Sequence, residues 1–545
     1  MGVKMRSIFV DQAGYLPKGR KRAVLNFPSN EFTLVNEKDE TIFGGRVSHF
    51  GKDDISGEDT YIADFSEFDP QGAEDTYRIC ADGAESASFR ISDNVYDALM
   101  HDVCKCFYYL RCGDALSEEY AGEYYHKPCH MTEATVYGEG TKVDVCGGWH
   151  DAGDYGRYST AGAVALAHLF YGVRFFDSLT KVSFDIPKIK CDMGELPDIL
   201  AECKVELDFL LKMQREDGAV WHKVTTFMHA PFVMPEEDKD ELFLFPVSSM
   251  ATADIAAVFA LAHTVYRDYD KAYAKVLLTA AGRAYDWLTL NQEPLLFKNA
   301  EGSNTGEYGE DEDFSNRFWA AASMYEATGD KKYREDIIKY RDELNKLGDK
   351  RIFTYLGWGP VAGLGSLSII LKNDGDDINK DINERFINEA DRLAGVASTN
   401  GFNLCMRADD FFWGSNMELL KFLMVATVAK GIKDDARYAD VIGSGIDYLL
   451  GCNSMDTSYV TGHGEKAYRN PHLRPTVSDD VEDPWPGLVS GGPNRGLQDE
   501  KAAWLPHDLP PMKCYLDAWE CYSLNEITIY WNSPLVFVLA GLLIN

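Results

Sequence analysis

At Ser92-Asp93-Asn94 the hydrophobic pattern of this chain switches period, from two residues to between three and four. Before the switch, residues 22–27, 32–35, 60–65, 76–80 and 87–91 are short, often alternating runs. Polar, Gly or Pro punctuation separates them, including Pro28-Ser29-Asn30 and Gly44-Gly45. This predicts a small antiparallel β-sandwich over residues 1–93, with nothing catalytic in it. After the switch, Asn94 suits an N-cap, and Val95, Leu99, Val103 and Phe107 recur on one helix face. Further helices are expected over 159–176, 195–214, 250–266, 271–290, 316–328, 416–430 and 434–450. Two joints, Ala327-Thr328-Gly329-Asp330 and Ala429-Lys430-Gly431 through Asp434, set a C′ glycine before an acidic N-cap. Such joints make antiparallel helix pairs. About a dozen paired helices build a solenoid or a closed ring, and the lack of a fixed repeat favours the ring. Residues 94–545 are therefore mainly α. Tyr459 to Pro511 is loop-like and rich in Gly, Pro, His and Trp, and loops this long are usually functional.

The 545 residues suffice for a large core, and 45% apolar with 26% charged residues is the balance of a globular protein. A net charge of −33 repels phosphate backbones and anionic lipid heads, so neither nucleic acid nor a membrane is an expected partner. A neutral ligand is not disfavoured. Aromatics reach 12%, and flat apolar faces edged with polar groups suit sugar rings. No obligatory protein partner is evident. Met1 to Leu16 offers only Ile8-Phe9-Val10 as an apolar run, too short for a secretory signal. The expected compartment is cytoplasmic, or secreted if a signal has been removed. No stretch is expected to reach the ~18 apolar residues of a spanning helix. The 12 scattered Cys are expected to be thiols, some of them metal ligands.

Three segments concentrate reactive groups. In Gly147-Gly148-Trp149-His150-Asp151-Ala152-Gly153-Asp154-Tyr155-Gly156-Arg157, two carboxylates three residues apart can face one cavity, with small residues between them. Ser458-Tyr459-Val460-Thr461-Gly462-His463-Gly464, running on to Asn470-Pro471-His472-Leu473-Arg474, sets a His and an Arg beside a proline-stiffened loop. In Tyr515 to Ser533, Glu526 lies among Leu524, Ile527, Ile529 and Trp531, a setting that raises a carboxyl pKa and suits a general acid if it excludes water.

Together the three segments resemble glycoside hydrolase family 9. The Gly-Gly-Trp-His-Asp-Ala-Gly-Asp-Tyr-Gly block is similar to that family's base block, and Ser458 to Arg474 to its substrate loop. Tyr515, Asp517, Tyr522, Glu526, Thr528, Asn532 and Ser533 match its C-terminal acid block. The resemblance implies an (α/α)6 barrel preceded by an immunoglobulin-like sandwich. It implies an inverting glycoside hydrolase cleaving β-1,4-glucosidic bonds of cellulose-type glucans and cello-oligosaccharides, an endo-β-1,4-glucanase. By motif position Asp154 is the general base, Asp151 helps hold the water, and Glu526 is the general acid. His222, Trp358, Trp413, His472, Arg474 and Tyr522 take the places of substrate contacts. Leu473, where many relatives carry a second His, departs from the pattern. An exo-acting β-glucosidase or β-glucosaminidase is the alternative within the fold. A non-catalytic carbohydrate-binding protein has no use for an acid–base pair.

Cys112, Cys129, His130 and His150 offer two thiolates and two imidazoles, a soft set suited to tetrahedral zinc, with His126 and Cys146 as rivals. The resemblance strengthens this set, because some relatives with a leading immunoglobulin-like module hold a zinc at such an arrangement, and it implies a structural role here. The family also binds calcium. The acidic stretch from Glu236 to Glu241 supplies hard oxygens for it, with no ligand assigned.

Overall fold

The computed structural model describes residues 6–72 and 75–543. An N-terminal β-sandwich is followed by the helices of an (α/α)6 barrel. Five strands lie where alternation placed them: Arg22–Leu25, Glu31–Val35, Asp59–Asp64, Thr76–Ala81 and Phe89–Ile91. One long strand, Thr41–Lys52, carries little sequence signal because nearly all of it is exposed or half-buried. Gly44 and Gly45, which read as punctuation, lie inside it. A Cβ on Gly45 would sit 2.8 Å from the Phe32 ring, so the glycine lets the strands close up. The first part of this strand pairs with Glu31–Val35 and its second part with Asp59–Asp64, so it joins the two halves of the sandwich. Among the described residues the sandwich pairings are antiparallel except that Gly14–Tyr15 runs parallel to Phe89–Ile91. Ile8, Tyr15, Leu25, Phe65, Tyr77 and Phe89 fill its core.

Among the described residues twelve helices run eleven residues or longer, from Asp97–Tyr109 to Ile529–Leu542. Ser159–Phe175, Ser249–Tyr266 and Ile529–Leu542 are buried nearly all round, as inner helices must be. Ser249–Tyr266 is long and apolar enough to cross a membrane, contrary to expectation, but 94% of it is buried inside the protein. Lys331–Leu347 buries only Tyr333, Ile337, Tyr340 and Leu344, one stripe of an outer helix. The first predicted joint is observed: Gly329 caps one helix at φ 71°, and the Asp330 carboxylate accepts from the Lys332 N–H. The second is shifted. Gly431 lies within Ser415–Ile432, and Asp435 rather than Asp434 caps Ala436–Leu449. All 12 cysteines are thiols.

The chain divides into two compact units. The first comprises residues 1–102, 387–472 and 482–527; the second comprises 103–386, 473–481 and 528–545. The Tyr459 to Pro511 stretch holds only the short helix Arg474–Ser478 and one turn at Ala502–Trp504. Much of it is nonetheless buried, Tyr459, Val460, Trp485 and Leu488 included.

Candidate active site

In the second unit a short strand, Arg157–Tyr158, pairs antiparallel with Lys223–Thr225 and holds the end of the Gly147–Arg157 loop. The loop's start is held by a bridge between Arg111 and Trp149. Trp149 is braced from below: its N–H donates to Glu206 at 2.7 Å and its indole N–H to Glu202 at 2.9 Å. Glu202 in turn takes a bidentate bond from Arg111. A Cβ on Gly148 would lie 2.6 Å from Phe209, and one on Gly156 would lie 2.7 Å from the Asp154 carboxylate. Both positions need glycine because the chain passes too close to its neighbours.

That loop buries both carboxylates. Asp151 accepts a 2.5 Å hydrogen bond from the Tyr308 hydroxyl. Its backbone oxygen accepts from the N–H of Ile529, three residues beyond Glu526 in the chain. Asp154 Oδ2 accepts from the Gly156 N–H at 3.1 Å and the Tyr158 hydroxyl at 3.0 Å, and His229 Nδ1 lies 3.5 Å away. Burial alone would raise its pKa. The hydrogen bond and charge of His229, the charge of Arg474 and the Tyr158 hydroxyl outweigh burial and hold Asp154 below the usual carboxylate range. The group is therefore ionised, the state from which a general base must start.

Arg474 is tied to the loop that carries Asp154. It is buried, with Nε donating to the Ala230 carbonyl at 2.8 Å and Nη1 to that of Gly153. It fixes the loop beside Asp154. His222 departs from expectation. It is fully buried, stacked 3.9 Å from Phe297, with Nδ1 bonded to Ser248 and Nε2 to the Glu307 carbonyl. Burial pushes its pKa down to about 3, so it is a neutral brace under the segment that ends in Tyr308. Lys223 anchors the same segment through Asn299, Thr305 and Gly306. Trp358 is half-buried and meets the Tyr308 ring edge-on at 5.0 Å.

The first unit groups the remaining candidates. Glu526 is half-buried just after the turn Tyr522–Asn525, and its carbonyl accepts from the Gly491 N–H. Leu524 and Ile527 are buried beside it in the chain; Ile529 and Trp531, which belong to the second unit, are also buried. His472 bridges to Glu526 along the backbone, and its Nδ1–H donates to the Trp519 carbonyl at 2.6 Å. Trp413, 41% exposed, packs 5.2 Å from Tyr522, which lies 6.0 Å from His472. Leu473 is buried and offers no polar group.

The bridge that holds Trp149 also registers Cys112 against His150. The Cys112 N–H donates to Gly148 and the His150 N–H to Leu110. Cys112, Cys129, His130 and His150 are all buried, and their ligand atoms lie within 4.8 Å of one another. His130 Nε2 is bonded to Asp238 at 3.2 Å, while its Nδ1 lies 3.3 Å from His150 Nε2. His130 also sits in the left-handed region at φ 49°, a cost tolerated where the surroundings fix the residue. Two sulfurs and two imidazole nitrogens converging among buried residues, with a carboxylate behind one ring, fit a metal ion. The rivals turn elsewhere: His126 bonds the Lys127 carbonyl and Cys146 approaches Met131. Asp238, at the centre of the acidic stretch considered for calcium, is committed to His130.

Motif reading did not find Tyr308, Tyr158, His229 or Lys223. A lone tyrosine far from the motif carries no local signal, though Tyr158 follows the block directly.

Two family descriptions match the chain: "Cellulase N-terminal ig-like domain" over residues 4–86 and "Glycosyl hydrolase family 9" over residues 96–539. A cellodextrinase of Butyrivibrio fibrisolvens is 62% identical, over 99% of this chain and 100% of its own. The solved structure of a single mutant of a thermostable endoglucanase from Alicyclobacillus acidocaldarius superposes with a TM-score of 0.91 at 36% identity, covering 99% of this chain and 100% of that one. A Zn-binding triple mutant of the family 9 endoglucanase J30 gives a TM-score of 0.88 at 32% identity, covering 96% and 99%. With family matches over residues 4–86 and 96–539 and a relative 62% identical along 99% of its length, the chain belongs to glycosyl hydrolase family 9.

Proposed function

We propose that this chain hydrolyses β-1,4-glucosidic bonds of soluble cello-oligosaccharides with inversion. Asp154 is the general base, Asp151 holds the attacking water and Glu526 is the general acid. The observation that carries this reading is the Asp154 carboxylate, buried yet kept ionised by His229, Arg474 and Tyr158. A water molecule beside it can lose a proton to it as the glycosidic bond breaks. Inversion asks for acid and base roughly 6.5–9.5 Å apart, with the water between base and sugar. Trp413 and Tyr522 offer partly exposed aromatic faces to sugar rings. The cellodextrinase relative, matched end to end, supports short soluble substrates.

The test is a time course on cellohexaose with product anomers read by NMR. Products of inverted configuration are expected, and a retained anomer overturns the assignment. Glu526→Gln should lose ~10²–10⁴-fold on cellohexaose and less on an aryl glycoside with a good leaving group. Asp154→Ala should fail on both, since water still needs its base.

Cys112, Cys129, His130 and His150 would hold zinc, with both thiols as thiolates. Four protein ligands leave no open position, so the ion's contribution is structural: it fixes His150, the neighbour of Asp151. Elemental analysis of protein purified without a metal-affinity tag should find about one zinc per chain. Cys112→Ser should melt at a lower temperature, because binding to the folded form is linked to folding. Zinc-free protein, or unchanged melting, removes the reading.

A further inference from the structure

Within the first unit a groove of about 450 Å³ opens between the sandwich and two helices, lined by none of the candidate site residues. Strand register builds its floor. Arg22 lies opposite Asp64, and Ile62 lies opposite Ser48 on the next strand. Side chains two apart share a face, so Asp64 and Ile62 point the same way. Along Thr41–Lys52, Phe43 and Val47 pack on the sandwich core, whereas Ser48 and Phe50 line the groove. Phe50 is 43% exposed, a large ring turned outward beside a cavity. Arg437, Asp440 and Val441, at helical spacing on Ala436–Leu449, form one wall, and Asn403 adds an amide.

The charges in this lining are already balanced. Arg20 pairs with Asp440 at 2.8 Å, Arg22 lies 3.7 Å from Asp64, and Arg437 is held by Asp435 at 2.7 Å and by Asp391. An anion entering the groove would meet Asp64 and Asp440, and a cation would meet three guanidinium groups. A neutral ligand rich in hydroxyls meets donors and acceptors side by side. An aromatic ring at the edge adds the flat apolar face that a pyranose covers. The volume lies within the ~300–1,000 Å³ typical of small-molecule sites.

We propose that this groove is a second, non-catalytic binding site for a short neutral oligosaccharide, with Phe50 as its stacking platform and Asp440 and Arg437 as hydroxyl partners. The choice of a cello-oligosaccharide as that ligand rests on the proposed activity; the polar, charge-balanced lining does not.

The probe is cellotriose, titrated calorimetrically into the full-length Glu526→Gln chain. Glu526→Gln/Phe50→Ala and Glu526→Gln/Arg437→Ala should each bind one equivalent fewer than Glu526→Gln alone. In the otherwise wild-type chain, Phe50→Ala should leave kcat/KM on a soluble aryl cellobioside unchanged. Both side chains are substantially exposed, and equal melting temperatures establish that the variants are folded. Equal stoichiometry in all three proteins overturns the proposal, as does binding of inorganic phosphate that displaces the Phe50-dependent equivalent. A Phe50-dependent equivalent together with no hydrolysis of cellohexaose by the unsubstituted chain would uphold the groove and remove the proposed activity instead.

Discussion

Burial works against the charge on Asp154, while His229, Arg474, Tyr158 and the Gly156 N–H work for it. Of these, Tyr158, Arg474 and Gly156 are locked by packing or by the backbone. His229, 37% exposed at its side chain, is the adjustable one. In the proposed role of Asp154 a base must be ionised to act, so its pKa would set a lower pH limit to turnover. His229→Ala removes a stabiliser of the ionised form and raises that pKa. The acidic limb of kcat/KM should therefore move to higher pH, by about one unit or less because the pair is partly exposed. Near neutral pH the variant should turn over much as the parent does. A limb that stays in place would show that His229 does not tune the base.

The segment from Asn299 to Asp313 has no regular structure, yet it presents Tyr308 to Asp151. What holds it is a set of buried polar anchors. His222 and Lys223 grip its carbonyls from a strand edge. Farther along, Glu310 lies against Asp254 on the inner helix Ser249–Tyr266, and the Asn316 amide bonds both carboxyls. Burial raises Asp254 to about 8 and raises Glu310 as well, with Glu312 and Asp313 adding like charge to Glu310. A carboxyl whose folded pKa lies above its unfolded value holds a proton that the unfolded chain has released. Stability from that proton is present below pH ~4 and is lost as pH rises toward 8. Asp254→Asn should flatten this loss, so that its melting temperature falls less between pH 5 and pH 8 than that of the parent. Parallel curves would rule out Asp254 as the titrating group.

In the molecule as a whole, the sandwich is tied to segments that lie far away in sequence. The Gln12 N–H donates to Leu450, and its side chain accepts from the Lys466 N–H. The Met512 N–H donates to Ile55, and the Gly401 N–H to the Asp53 carboxylate. A Cβ on Gly401 would sit 2.2 Å from the Thr60 hydroxyl, so the Thr60 side chain packs directly on the glycine backbone. Removing one partner of a buried bond such as Gly401 to Asp53, with the packing otherwise closed, leaves the other unpaired at roughly 1–3 kcal/mol. Deleting residues 1–93 removes no candidate catalytic residue. It should nevertheless lower the melting temperature and abolish most hydrolysis, because the same compact unit carries His472 and Glu526. Unchanged melting and activity in the truncated chain would show that the sandwich is dispensable.

Local pattern was enough to set the class of each half, most helix positions and the three reactive blocks, because period, caps and motif spacing are properties of neighbouring residues. It was not enough where exposure or distance governs. The strand Thr41–Lys52 has no fully buried position, and its half-buried ones include Gly45 and Gly51, so its sequence shows little apolar alternation. Gly431 is spent inside a helix that packing extends to Ile432. Whether His222 and Arg474 face a sugar or brace a loop depends on burial, which their sequence neighbourhoods do not encode. The four soft side chains were legible as a set, but the convergence of Cys112 and His150 required the pairing of Arg111 with Trp149. Tyr308 reaches Asp151 across 157 residues of sequence, and His229 reaches Asp154 only by tertiary packing. Sequence alone determined which groups could do chemistry; the packing of distant segments decided which of them are held ionised, buried or turned toward a ligand, because desolvation and hydrogen bonding act through space.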